Sequence, residues 1–275
     1  YKFMNKIILS GGCSFTYGHE LSDCNTPHAP PSNKTWAKGL SDLHGANYFS
    51  VAQGGIGNSA IARKVFSYVS KNICDAVLVM WTFPSRYDWA MPRSSLLEDT
   101  RWASITPWDT DDKQGEVFRE LGGSEPQQEI WRKRREELAT TGVKEFANSL
   151  YKYAANEYHE IYLSWKSIIW LQNFLEKYHI PFMFTLADNS LFYNHYTPHS
   201  HRDALMQSLY KEIDITKWFS FGERMMGFNQ WAMLEEYERG TTHPLDSAHK
   251  DAVKLMKDKF NSIINENRRN YDKMD

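Results

Sequence analysis

The chain has 275 residues, a formal net charge of −2, 41% hydrophobic residues and 24% charged residues. That length and balance fit one soluble domain with a sizeable core, and the near-neutral charge argues against a general nucleic-acid or membrane surface. No apolar run approaches the roughly 20 residues of a membrane span, and Cys13, Cys24 and Cys74 match neither a disulfide framework nor a metal spacing.

The chain passes from Met4-Asn5-Lys6 into a short apolar run ending in glycine, so no secretory leader is read and a cytoplasmic location is expected. That run, residues 6–11, reads as a buried strand. Further apolar runs at 49–52, 76–82 and 181–187 read as three more strands, each continuous enough to be covered on both faces of a parallel sheet. Helices are expected between them. One over 33–43 carries Trp36, Leu40 and Leu43, and a second, capped by Ser59, turns Ile61, Val65 and Val69 inward. A single long helix is predicted over 143–178, and a last one over 247–265. Alternating strand and helix predicts a three-layer α/β/α sandwich in one domain spanning 1–275. Residues 84–128, rich in Pro, Asp and Trp without periodicity, read as an insertion after the third strand, a candidate lid over the strand ends.

In such a fold, ligands bind beyond the C-terminal strand ends. The first strand ends in Gly11-Gly12-Cys13-Ser14, which would expose the Ser14 hydroxyl there; a serine becomes a nucleophile only when a base takes its proton. Without a base the same residues are merely a tight turn. Cys13 is the alternative nucleophile, although neighbours at a strand end usually point apart. Gly54-Gly55-Ile56-Gly57-Asn58 joins the second strand to a helix, and its backbone N–H groups can face an anion or an oxyanion. A dinucleotide fingerprint would need glycine where Ala60 stands, and no P-loop lysine follows either glycine segment. Before the last helix lies Thr241-Thr242-His243-Pro244-Leu245-Asp246-Ser247-Ala248-His249, with two histidines able to serve as a base. Asp246 also sits where a helix cap would. His195, His199 and His201, with Asp188 before them, fit no standard metal site.

In this order, the three segments resemble the SGNH (GDSL-type) hydrolases. Gly12-Cys13-Ser14-Phe15-Thr16 is similar to the first family block with Cys in place of Asp, which implies Ser14 as nucleophile and as one oxyanion donor. Ala52-Gln53-Gly54-Gly55 is similar to the second, implying Gly55 as the other donor and Asn58 as a support of that loop and the oxyanion site. The last block, Asp-x-x-His, fits in two registers. His-Pro makes His243 the base, with a backbone carbonyl or another acid, Glu238 or Asp246, as its partner; Asp-x-x-His itself pairs Asp246 with His249. The third block departs: Trp81-Thr82-Phe83-Pro84-Ser85-Arg86 lacks the family asparagine, and Thr82 or Arg86 would face the substrate instead. The resemblance implies a serine esterase without cofactor or metal, acting on a small-molecule or O-acylated carbohydrate ester. The missing asparagine, and the absence of an aspartate three residues before His243, favour as an alternative a catalytically weakened binding or structural module. Gly-Cys-Ser-Phe-Thr with a Trp-Thr third strand is similar to bacteriophage members, which adds the virion as an expected location.

Overall fold

Four apolar segments line up side by side in a computed structural model that describes residues 6–26, 29–91, 101–110, 125–193 and 203–271. They are β1 (Ile7–Gly12), β2 (Asn47–Ser50), β3 (Ala76–Trp81) and β6 (Phe182–Leu186), in the order β2-β1-β3-β6 and all parallel. β3 and β6 are buried at every position, as expected of strands covered on both faces, although β6 stands at the edge of the sheet opposite β2. β2 starts two residues before the run at 49–52, and its side chains alternate between half-buried and exposed. Of the two edge strands it is the one with a face turned to solvent, so only its other face is covered.

Helix α2 (Trp36–Leu43) and the last helix, α9 (Asp246–Tyr271), pack together on one side of the sheet. On the other side, α3 (Asn58–Val69) covers β1 and β3 and meets α6 (Glu157–Lys177). The result is the expected three-layer α/β/α sandwich. α1 is a single turn, Ser14–Tyr17, directly after β1. Trp36, Trp81, Trp165, Phe184 and Phe260 are fully buried, each worth about 1.5–3 kcal/mol of apolar burial.

Two helix expectations are corrected. Ser59 is not the cap of α3: Gly57 holds that position, and the Ser59 hydroxyl bonds the Ser167 hydroxyl across the helix pair at 3.0 Å. The helix predicted over 143–178 is two helices, α5 (Val143–Tyr153) and α6, because the Asn156 side chain accepts the backbone N–H of His159 and starts a new helix. Two shorter helices, α7 (Ala204–Lys211) and α8 (Phe228–Leu234), have no counterpart in the sequence reading.

The segment read as an irregular insertion contains an antiparallel ribbon, β4 (Tyr87–Ala90) and β5 (Trp102–Ile105), and leads into α4 (Glu125–Thr141). The Arg63 guanidinium on α3 grips Asp88 of β4 at 2.8 and 3.0 Å and lies over the Trp102 ring of β5. That buried pair fastens the ribbon to the sandwich. His195, His199 and His201 lie outside the described residues; among those described, no group of three or more acidic, His or Cys residues could hold a metal. No described helix is long and apolar enough to cross a membrane.

Candidate active site

Ser14 stands at the junction of β1 and α1, at the C-terminal end of the sheet. Thr16 and Tyr17 donate their backbone N–H groups to the Cys13 carbonyl, which turns the chain sharply after the strand and leaves Ser14 at the first helical position. A backbone N–H in the first turn has no acceptor within its own helix. The hydroxyl meets His243: Ser14 Oγ lies 2.8 Å from His243 Nε2.

His243 is held on its other side by Glu20, a residue absent from the sequence reading. His243 Nδ1 is 2.8 Å from Glu20 Oε2. The same carboxylate accepts the backbone N–H groups of Thr241 (2.6 Å), Thr242 (3.0 Å) and His243 (3.1 Å). Gly240 N–H closes the turn onto the His243 carbonyl at 2.9 Å. Burial alone would raise the Glu20 pKa; the bonds from His243 and from the Thr242 and Thr241 backbone outweigh it and hold the carboxyl well below the usual carboxylate range. An ionised carboxylate only accepts, so Nδ1 carries the proton and Nε2 is left to accept the Ser14 O–H. Glu20 adopts φ = 69°, a left-handed conformation that costs a residue with a Cβ about 1–2 kcal/mol. Five hydrogen bonds to one carboxylate, the Thr242 hydroxyl at 3.3 Å included, offset that cost.

Asp246 does not support either histidine. Its carboxylate takes the Ser22 N–H at 3.0 Å, the Ser22 hydroxyl and the Lys34 ammonium at 2.8 Å, at the surface. Glu238 is exposed. His249 is turned elsewhere: it is buried in α9, and its Nδ1 accepts the Trp36 backbone N–H at 3.2 Å. Burial and the neighbouring His243, against the pull of Asp246, push its pKa down to about 3, so it stays neutral.

The two glycines of the second loop have different reasons to be glycine. A Cβ on Gly54 would come within 2.4 Å of the His19 ring, whereas Gly55 has φ = 77° and open space beside its Cα. His19 lies edge-on to the His243 ring with 6.0 Å between centroids; burial and His243, opposed by Glu20, lower its pKa to about 4. The Phe15 ring lies edge-on to His243, with 4.8 Å between centroids.

No family model matches the chain, and no curated protein matches it in sequence. Solved structures do resemble it. A lipolytic protein of the G-D-S-L family from Desulfitobacterium hafniense matches 93% of this chain and 99% of its own at 10% identity, with a TM-score of 0.45. A carbohydrate esterase family 2 enzyme with a carbohydrate-binding domain, from Corynascus (Myceliophthora fergusii), matches 95% of this chain and 67% of its own at 11% identity and a TM-score of 0.46. The psychrotrophic esterase EstA from Pseudoalteromonas sp. matches 95% of this chain and 98% of its own at 10% identity and a TM-score of 0.42. At such identities these are likenesses of fold, and the chemistry rests on the residues above.

The remaining expected residues have other duties. Asn58 is not an oxyanion donor through its side chain. Its Oδ1 accepts the Thr82 N–H at 2.8 Å, and its Nδ2 donates to the Thr82 carbonyl and the Ser164 hydroxyl, both at 3.0 Å. Both N–H bonds of the amide are thereby used, and the end of β3 is locked to α3 and α6. Thr82 is fully buried, with its hydroxyl accepting Arg86 Nη1 at 3.2 Å. Arg86 also reaches the Ile56 carbonyl of the glycine loop at 3.4 Å and lies over the Phe83 ring. Glu20 carried a weak signal of its own: a carboxylate in the turn immediately after α1 must lie at the same sheet end as Ser14.

Proposed function

We propose that the protein is a serine esterase that cleaves a carboxylic ester, with an O-acyl group on a carbohydrate as the substrate we favour. The observation that carries this reading is the unbroken chain from Ser14 Oγ to His243 Nε2 and from His243 Nδ1 to Glu20 Oε2, 2.8 Å at each link. Ser14 attacks the ester carbonyl as His243 takes its proton; the resulting imidazolium is stabilised by Glu20, which stays ionised. His243 then gives the proton to the leaving alcohol, and a water deprotonated by the same imidazole attacks the acyl-enzyme to release the acid. In this reading the N–H groups of Ser14 and Gly55 receive the oxyanion, and the Phe15 ring shields the imidazole from water. Hydrolysis of p-nitrophenyl acetate, together with labelling by a fluorophosphonate probe that Ser14→Ala abolishes and Cys13→Ala leaves intact, is the expected result. An unlabelled, inactive wild-type protein would overturn the reading.

A further inference from the structure

His19 and Glu20 are consecutive, and their side chains serve different parts of the site. Glu20 holds His243. The His19 ring lies edge-on to His243 and meets Gly54 on the glycine loop. A Cβ on Gly54 would fall 2.4 Å from His19 Cε1 and 3.2 Å from each ring nitrogen. Unlike Gly55, Gly54 is not left-handed, so the imidazole and not the backbone is what excludes a side chain there.

The loop is fastened on both sides of this contact. Gln53 donates its N–H to the Gly12 carbonyl at 3.1 Å, at the strand end that leads into Ser14. Arg86 donates to the Ile56 carbonyl at 3.4 Å on the other side. Between these anchors Gly54 rests against His19. The ring is itself held in place: its backbone N–H bonds the Ser14 carbonyl at 3.1 Å, and the Tyr17 ring stands edge-on to it with 4.7 Å between centroids. With its pKa lowered to about 4, the ring is neutral at pH 7 and adds no repulsion to a charge on His243.

We propose that His19 is a positioning residue whose ring sets the distance of the Gly54–Gly55 peptide from Ser14 and His243. The proposal rests on the esterase reading, in which the Gly55 N–H receives the oxyanion. That N–H lies in one rigid plane with the Gly54 Cα, so a shift of Gly54 moves the donor itself. An oxyanion donor acts through its exact place, and losing one costs about 10²–10³ in kcat. Through His19, the segment that carries the nucleophile and the acid also gauges the donor loop.

The test is a double-mutant cycle in the full-length protein: kcat and KM on p-nitrophenyl acetate for wild type, Gly54→Ala, His19→Ala and the double variant. Each rate is divided by the number of sites that a fluorophosphonate labels at completion, so that unfolded protein is not counted. Gly54→Ala should lower kcat per site about 100-fold with KM within about threefold of wild type, because the methyl pushes the peptide off the ring. His19→Ala should lower it about tenfold, through a loop that has lost its support. In the double variant the methyl occupies the space the imidazole left, so kcat should stand near that of His19→Ala alone, against the roughly 1,000-fold loss of two independent effects. Losses that multiply, changes confined to KM, or a Gly54→Ala protein with wild-type kcat per site at any thermal midpoint would overturn the proposal while wild-type turnover keeps the esterase reading. A wild-type protein that hydrolyses no ester would overturn both.

Discussion

The turn at Thr241–His243 and the first turn of α9 are only a few residues apart, and each buries a histidine. Their environments differ completely. His243 faces outward from a backbone turn tied to Glu20 and presents Nε2 to Ser14. His249 faces the core and spends Nδ1 on the backbone N–H that opens α2. One imidazole is held by a charge and left with a free lone pair; the other is held by a main-chain group and made inert by burial. Burial alone therefore does not mark a base. The partner of the second ring nitrogen does.

The largest effect that breaks this comparison is loss of the base or nucleophile. Ser14→Ala and His243→Ala should each lower kcat by about 10⁶-fold, measured on p-nitrophenyl acetate, while His249→Ala retains the kcat of the folded fraction. The reverse pattern would transfer the role to His249. Next comes the acid. Glu20→Gln should lower kcat by about 10⁴-fold, because the amide holds the wrong imidazole tautomer; Asp246→Asn should stay within about twofold of wild type, and equal losses at both positions would contradict the assignment. His249→Ala should instead cost about 1–3 kcal/mol of stability, the penalty of an unsatisfied buried Trp36 N–H, read as a lowered urea midpoint.

The pH dependence of stability sharpens the contrast further. His19 and His249 have folded pKa values lowered from 6.5 to about 4 and about 3. As pH falls below 6.5 the unfolded chain takes up their protons first, so the stability held above 6.5 is lost progressively down to about pH 3. Glu20, whose folded pKa is also depressed, adds its own loss below the ordinary carboxylate range. The urea midpoint should decline across this window, and a midpoint flat between neutrality and pH 4 would contradict the buried neutral state of both imidazoles.

The sheet was legible because β1, β3 and β6 are covered on both faces and read as nearly continuous apolar runs, with Ser10 and Thr185 the buried exceptions. β2 was misplaced by two residues because it leaves one face to solvent and so alternates. The ribbon β4–β5 was hidden because its strands are four residues long and its buried Asp88 is polar, made tolerable by Arg63 from a distant helix. Ser14 and His243 could be singled out because a glycine-framed strand end and a histidine before proline are local features. Glu20 could not, because what makes it the acid is a bond to a residue 223 positions away. Asp246 looked better by proximity, but its helical first turn and the nearby Lys34 claim it for the surface.

The proposed nucleophile and acid both belong to the short segment from Ser14 to Glu20, and only the imidazole comes from the far end of the chain. The carboxylate that orients the imidazole also clasps the three backbone N–H groups that precede and include it. Assembly of the catalytic chain is therefore a docking event, complete only when the turn at 241–243 seats on Glu20. A polypeptide divided between α8 and that turn would consist of two silent fragments, and their reunion would be reported by turnover itself.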